Sequence, residues 1–239
     1  MIPTIAAAEV PYLSTDQMIE VDRAVIDEYG IDLVRMMENA GRALAHLARE
    51  RFLDGDPRGR NVVALAGSGG NGGGVLVAAR RLHNYGARVT AVMAKPDGAL
   101  SAVPREQLAI LRNMGATIGG VGAANQLEST DLVLDGLIGY GLRGAPRGAV
   151  AALIRWANLQ TSPVLSLDVP SGVDTTTGTA SDPAVDAAAT MTLALPKAGL
   201  RTRGIERKVG DLYLADISVP PELYERFLGV QAPPIFAKS

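Results

Sequence analysis

The run Val62-Val63-Ala64-Leu65-Ala66-Gly67-Ser68-Gly69-Gly70-Asn71-Gly72-Gly73-Gly74-Val75-Leu76-Val77-Ala78-Ala79-Arg80-Arg81-Leu82 decides the fold. An apolar stretch stops at six glycines in eight positions, and an amphipathic stretch follows at once. This order reads as a buried strand, a tight loop and a helix. Glycine admits positive φ and leaves room for a ligand against the backbone. Loop N–H groups and a helix N-terminus can then face an anion, most often phosphate. The alternative is a sharp strand-to-helix turn that binds nothing.

Outward from this run the rhythm repeats. Candidate strands fall at 61–66, 88–93, 131–135, 163–167, 189–194 and 211–216, with a short seventh near Thr117-Ile118. Helical patterns fit 72–84, 104–113, 147–158 and 221–228. Strands such as Leu132-Val133-Leu134 are continuous apolar runs, as expected when both faces of a sheet are covered. The alternation predicts an α/β protein with a mostly parallel sheet and helices on both sides. Ahead of it, Ser14 with Gln17 makes a capping box. Met18, Val21, Val25 and Tyr29 follow at helical spacing, and Gly30 ends that helix. Leu33, Met36, Met37, Ala40, Leu44 and Leu47 mark a second helix, with the methionines as adaptable core filler. Residues 170–187 form the longest loop, and long loops in compact domains are often functional.

At 239 residues the chain is expected to form a single domain over 1–239, with 1–12 a frayed terminus. The formal net charge of −2 gives no bulk attraction to nucleic acid or to an anionic membrane, so an anion site must be local. Aromatics make up only 4%, too few for a base-stacking platform, which argues further against nucleic acid. Without cysteine there are no disulfides, thiolate metal sites or thiol nucleophiles, which fits a cytoplasmic setting. No apolar run approaches the ~18 residues of a membrane span, and the start lacks a signal-peptide pattern.

In an open parallel sheet, ligands bind at the carboxyl ends of the strands. One candidate strand runs into the glycine loop with Asn71. A second ends at Asp135, before Gly136-Leu137-Ile138-Gly139-Tyr140-Gly141-Leu142-Arg143-Gly144. A third ends at Asp168, before Val169-Pro170-Ser171-Gly172. Such a carboxylate can act as general base, general acid or cation ligand. A lone Asp at this place more often caps a turn; two beside a glycine loop favour a site. His46 and His83 fall inside helices, positions poorly suited to catalysis.

Gly67-x-Gly69-x-x-Gly72 formally matches the dinucleotide fingerprint, which expects an acidic residue about twenty positions on. Asp97 is late for that role, and an oxidoreductase stays open. Ala66-Gly67-Ser68-Gly69-Gly70 resembles a nucleophile elbow. The triad order cannot be completed, because no histidine follows Asp135 or Asp168. A P-loop is excluded by the lack of Lys-Ser or Lys-Thr after the glycines.

Five segments follow one another along the chain: Met36-Met37-Glu38-Asn39-Ala40-Gly41-Arg42-Ala43, the glycine loop, Asp135 to Gly144, Leu167-Asp168-Val169-Pro170-Ser171-Gly172-Val173-Asp174 and Ala194-Leu195-Pro196-Lys197-Ala198-Gly199-Leu200. Together and in this order they resemble the NAD(P)H-hydrate epimerases, the YjeF N-terminal-domain family. The resemblance runs from about Leu13 to Pro220 and is to the free-standing form without a fused dehydratase. It implies a Rossmann-like α/β/α sandwich, often a homodimer. It also implies interconversion of the R and S forms of hydrated NADH or NADPH, a damaged cofactor hydroxylated at C6 of the nicotinamide ring. The potassium ligands of the family would fall on Asn71, Asp135 and Ser171. Its substrate contacts would fall on Gly70, Asn71, Gly72, Gly73, Gly74, Gly139, Tyr140, Gly141, Leu142, Arg143, Gly144, Ala145 and Asp168, with Asp168 the catalytic carboxylate. The family loop reads Asn-Asn-Gly-Gly-Asp-Gly. Here its first Asn and its Asp are replaced by Gly70 and Gly74, and its last Gly by Val75.

Three readings follow: an epimerase of hydrated nicotinamide cofactors, a non-catalytic nucleotide-binding or scaffold protein on the same fold, and a Rossmann oxidoreductase. On the first, Asn71, Asp135 and Ser171 converge on a site for a monovalent cation. Asp168→Asn abolishes turnover and leaves the fold intact. Gly74→Asp improves kinetics with stability roughly unchanged.

Overall fold

Residues 9–233 and 235–238 are described in the computed structural model. β1 (Asn61–Ala66), β2 (Arg88–Met93), β3 (Thr117–Gly119), β4 (Leu132–Gly136), β5 (Val164–Leu167), β6 (Ala189–Leu193) and β7 (Asp211–Ala215) form one sheet in the order β3-β2-β1-β4-β5-β6-β7. Every adjacent pair is parallel. The chain winds outward from β1 to β3, returns to β4 beside β1, and winds the other way to β7. The two halves of a doubly wound sheet meet at this reversal, and a crevice opens there at the strand ends.

The continuous apolar strands reflect burial on both faces. Along β1, Val62, Ala64 and Ala66 turn to one face and Val63 and Leu65 to the other, the two-residue alternation of a strand. The first face carries α1 (Thr15–Asp27), α2 (Leu33–Phe52), α3 (Gly70–Asn84), α4 (Ala102–Asn113) and α8 (Pro221–Leu228). The second carries α5 (Val121–Ala124) and α6 (Gly148–Asn158). The capping box forms: Gln17 N–H donates to Ser14 Oγ at 3.2 Å, and Ser14 N–H to Gln17 Oε1 at 2.9 Å. Together the two hydrogen bonds satisfy amides that helix geometry leaves free.

Element ends move by one or two residues. The glycine-loop helix begins at Gly70, and α4 begins at Ala102. That places Pro104 in the first turn of α4, where no amide hydrogen is required. The single-turn helices α5 and α7 (Glu206–Val209) are too short to carry a helical period, so the sequence gives no sign of them. The stretch expected to fray, 1–12, is held at its end. Residues 1–8 lie outside the described residues, but Tyr12 packs under the Arg201 guanidinium at 4.7 Å. Leu13 N–H donates to the Pro196 carbonyl at 2.9 Å. The loop at 170–187 is pinned by its own small core of Val169, Val173, Ala184, Leu200, Ile205 and Val209. Among the described residues no helix is long and apolar enough to cross a membrane.

Candidate active site

A cleft of about 890 Å³ lies over the carboxyl ends of the central strands. Its lower wall is the glycine loop. Gly69, which precedes α3, brings no side-chain acceptor to the first-turn amides. These amides and the positive end of the helix therefore remain for an anion. Gly70, Asn71 and Gly72 line the cleft, as do all residues from Gly139 to Ala145, and Asp168. Gly73 and Gly74 do not. A Cβ on Gly73 would meet Val103 Cγ1 at 2.7 Å, and one on Gly74 would meet Leu167 Cδ2 at 2.7 Å and Met37 Sδ at 3.4 Å. Both glycines let α3 approach its neighbours closely. The expectation that Gly73 and Gly74 touch substrate is corrected on this geometry. An aspartate at Gly74 would enter an apolar contact, not the cleft.

Asp135 is the next-to-last residue of β4 and is fully buried. Its Oδ1 accepts from Ser171 Oγ at 2.6 Å and Leu137 N at 3.2 Å; its Oδ2 accepts from Ser171 N and Ser166 Oγ, both at 2.9 Å. Asp135 thus caps the turn that follows β4 through its bond from Leu137 N–H. Burial pushes the Asp135 carboxyl above its ordinary pKa, and the bonds from Ser171, Leu137 and Ser166 oppose that. Asp135 forms no ion pair among the described residues, so this carboxylate has donors but no counter-charge. Ser171 Oγ also accepts from Ile138 N at 2.9 Å. Asn71 reaches the same turn from the other side. It donates from Nδ2 to the Leu167 carbonyl at 2.9 Å. Its amide packs so closely on Gly139 that a Cβ there would lie 2.6 Å from both Oδ1 and Nδ2. Asp135 and Ser171 are thus in direct contact, whereas Asn71 is bonded to neither and packs on Gly139, next to Ile138, whose amide Ser171 holds.

Asp168 follows β5 with φ of 70°, the left-handed region that side chains other than glycine seldom adopt. Its amide is held by the Met191 carbonyl at 2.7 Å. Its carboxylate forms an ion pair with Lys197 Nζ, and both side chains are almost wholly buried. Lys197 donates as well to the Leu193 carbonyl at 2.9 Å and to Thr192 Oγ1 at 3.3 Å, and Leu193 N–H donates to Asp168 Oδ1 at 3.3 Å. The strained turn thus aims a charged pair into the cleft, which both residues line.

Two further groups stand with this pair. Tyr140 OH donates to Asp22 Oδ2, and both residues line the cleft. Burial raises the pKa of Asp22, against the Tyr140 hydrogen bond, and the charge of Asp168 adds to the rise. Burial and the neighbouring Asp22 carboxylate push the Tyr140 phenol well above its ordinary range. At the open side, Lys95, Arg143 and Arg147 line the cleft, are exposed and form no ion pair among the described residues. They supply the local positive charge that the net −2 of the chain does not.

Asp22, Lys95, Arg147 and the role of Lys197 escaped the sequence reading. Two of them left a trace. Asp22 interrupts the apolar stripe of Met18, Val21 and Val25 on α1, and Lys197 sits inside the apolar run Leu195-Pro196-Lys197-Ala198. A charge in such a place needs a partner. His46 is exposed and bonded to Arg49, and His83 lies in the last turn of α3, both away from the cleft. Asp97 is tied to Arg112 on the surface, so the acidic residue of a dinucleotide fingerprint is engaged elsewhere.

Fold and cleft together define a doubly wound α/β protein with an anion-receptive loop and paired acid groups at its topological switch point. The chain belongs to the family described as YjeF-related protein N-terminus, which matches residues 34–199. It is 46% identical over 210 residues to an NAD(P)H-hydrate epimerase of Dehalogenimonas lykanthroporepellens, covering 87% of this chain and 82% of that one. It is 32% identical over 222 residues to an NAD(P)H-hydrate epimerase of Rhodopirellula baltica, covering 92% and 89%. The fold is shared with the crystal structure of yeast ynu0, YNL200c, at a TM-score of 0.79 and 24% identity, over 94% of this chain and 96% of that one.

Proposed function

We propose that this protein epimerises hydrated NADH or NADPH, converting between the R and S forms of the damaged cofactor. The observation that carries the reading is the buried Asp168–Lys197 pair at the floor of a cleft whose wall is the glycine loop. The relatives named above as epimerases support it. Phosphates are held by the first-turn amides of α3 and by Lys95, Arg143 and Arg147. The nicotinamide ring then lies toward Asp168. Its C6 is a hemiaminal carbon, so the hydroxyl leaves with help from the ring nitrogen. Asp168 carries a proton during loss and return of water. Lys197 holds that carboxylate in position through their ion pair, and the apolar walls of Met18, Met36 and Met37 exclude bulk water.

A potassium ion belongs to the proposal. Asn71, Asp135 and Ser171 would hold it, and the bound ion would supply the positive charge that buried Asp135 lacks and brace the turn at 136–139. The donors are one carboxylate and neutral oxygens, which suit a hard, weakly charged cation. Among the described residues no three His, Cys, Asp or Glu side chains cluster, as a more highly charged metal would favour. A cytoplasmic setting and a homodimer complete the proposal.

The test is a mixture of R and S hydrates coupled to an S-specific dehydratase. Adding this protein should bring the R form into consumption at a catalytic rate. Consumption that stops at the S form overturns the reading.

A further inference from the structure

We propose that Asp22 and Tyr140 form a second proton-transfer station of this cleft, working with the Asp168–Lys197 pair on the other face of the reacting carbon. The proposal rests on the epimerase reading above. Asp22 is half-buried on α1, on the side of the helix that carries buried Met18 and Val25, where an unpaired carboxylate is costly. It forms no ion pair among the described residues. Its bond is from a single phenol, Tyr140, to Oδ2, which leaves Oδ1 to carry a proton into the cleft. The groups that face it are Tyr140 from the loop after β4, Asp168 after β5, Lys197 after β6 and Tyr224 from α8. Arg23, the cation next to it on α1, is engaged by Glu20, Asp27 and Glu28 at the surface. Burial and the charge of Asp168 therefore act together to keep the Asp22 proton to higher pH than an ordinary carboxyl keeps it.

Inversion at one carbon uses both of its faces. The C6–O bond breaks with its electron pair on oxygen, while the lone pair of the ring nitrogen forms a C=N bond to C6. The departing oxygen takes a proton from an acid and leaves as water. A second water adds to the opposite face, the C=N pair returns to nitrogen, and the added oxygen gives its extra proton to a base. One turnover moves one proton from acid to base, and the reverse turnover or exchange with solvent resets the two. Asp168 serves one face and Asp22 the other, with Tyr140 as the positioning residue that orients the Asp22 carboxyl. The glycine loop offers no titratable group for this role, since Gly70 has no side chain and Gly74 faces away.

Asp22→Asn keeps an acceptor for Tyr140 and cannot donate a proton as an acid. Its kcat should fall about 100-fold or more, with KM and melting temperature little changed. In the wild type, activity should fall as pH rises through the Asp22 pKa, and this alkaline limb should vanish in Asp22→Asn. Tyr140→Phe removes the bond that favours the anion, so the limb should move to higher pH. A kcat for Asp22→Asn within about threefold of wild type, while Asp168→Asn is inactive, overturns this proposal and leaves the epimerase reading standing. An alkaline limb that stays in place in Tyr140→Phe also overturns it. No turnover of either hydrate by the wild type overturns both.

Discussion

Asp135 and Asp168 end neighbouring strands of one sheet, and both are buried, yet they are held in opposite ways. Asp135 accepts four bonds from neutral donors and meets no cation. Asp168 meets Lys197, and its backbone is held in the left-handed region to do so. Asp135 lies below the cleft surface; Asp168 lines it. Burial alone therefore does not choose the role of a strand-end carboxylate. Its partners do. The carboxylate held by neutral donors alone is the one proposed to meet a cation, and the one paired with a buried lysine at the cleft is the one proposed to exchange a proton.

The largest effect should come from separating Asp168 from Lys197. Asp168→Asn should lower kcat by about 10³-fold or more. It should also cost about 3–5 kcal/mol, because Lys197 is left buried without its counter-charge. The expectation from sequence that this variant leaves the fold intact did not know of that lysine. The double variant Asp168→Asn with Lys197→Met should recover most of the stability and none of the activity. Melting curves and turnover of the three proteins check this, and a single variant as stable as wild type would break the pairing argument.

Gly74→Asp places a third carboxylate beside these two, with neither donors nor a cation. It should destabilise by about 3 kcal/mol or more, from overpacking against Leu167 and Met37 and from burying an unpaired charge. A folded variant with wild-type melting would mean that α3 and β5 separate more easily than their contact suggests.

The smallest effect concerns Asp135. Potassium chloride should raise the melting temperature of the wild type above that in choline chloride at equal concentration. The gain should be about 1–3 kcal/mol if the ion is present well above its Kd, or ~2–4 °C per kcal/mol for a chain of this length. In Asp135→Asn the difference should disappear. Equal melting in both salts for the wild type would remove the cation from this site.

The layered α/β fold was legible in the sequence because burial on both faces writes itself as unbroken apolar strands, and amphipathic helices as a period near 3.6 residues. The capping box at Ser14 and the strand-end positions of Asp135 and Asp168 were legible for a similar reason: each depends on residues a few positions apart. The partners of those carboxylates come from much farther along the chain. Lys197 is 29 residues from Asp168, and Tyr140 is 118 from Asp22, and only the parallel sheet and the packing of α1 over it bring them within a hydrogen bond. The direction of Gly74 likewise depends on the contact between α3 and β5, which no local pattern records. Local pattern determined which strands and helices form, and where a ligand could lie. Tertiary packing alone decided which buried carboxylate meets a lysine, which meets only neutral donors, and which glycine faces the cleft, because those contacts join segments that share no local sequence relation.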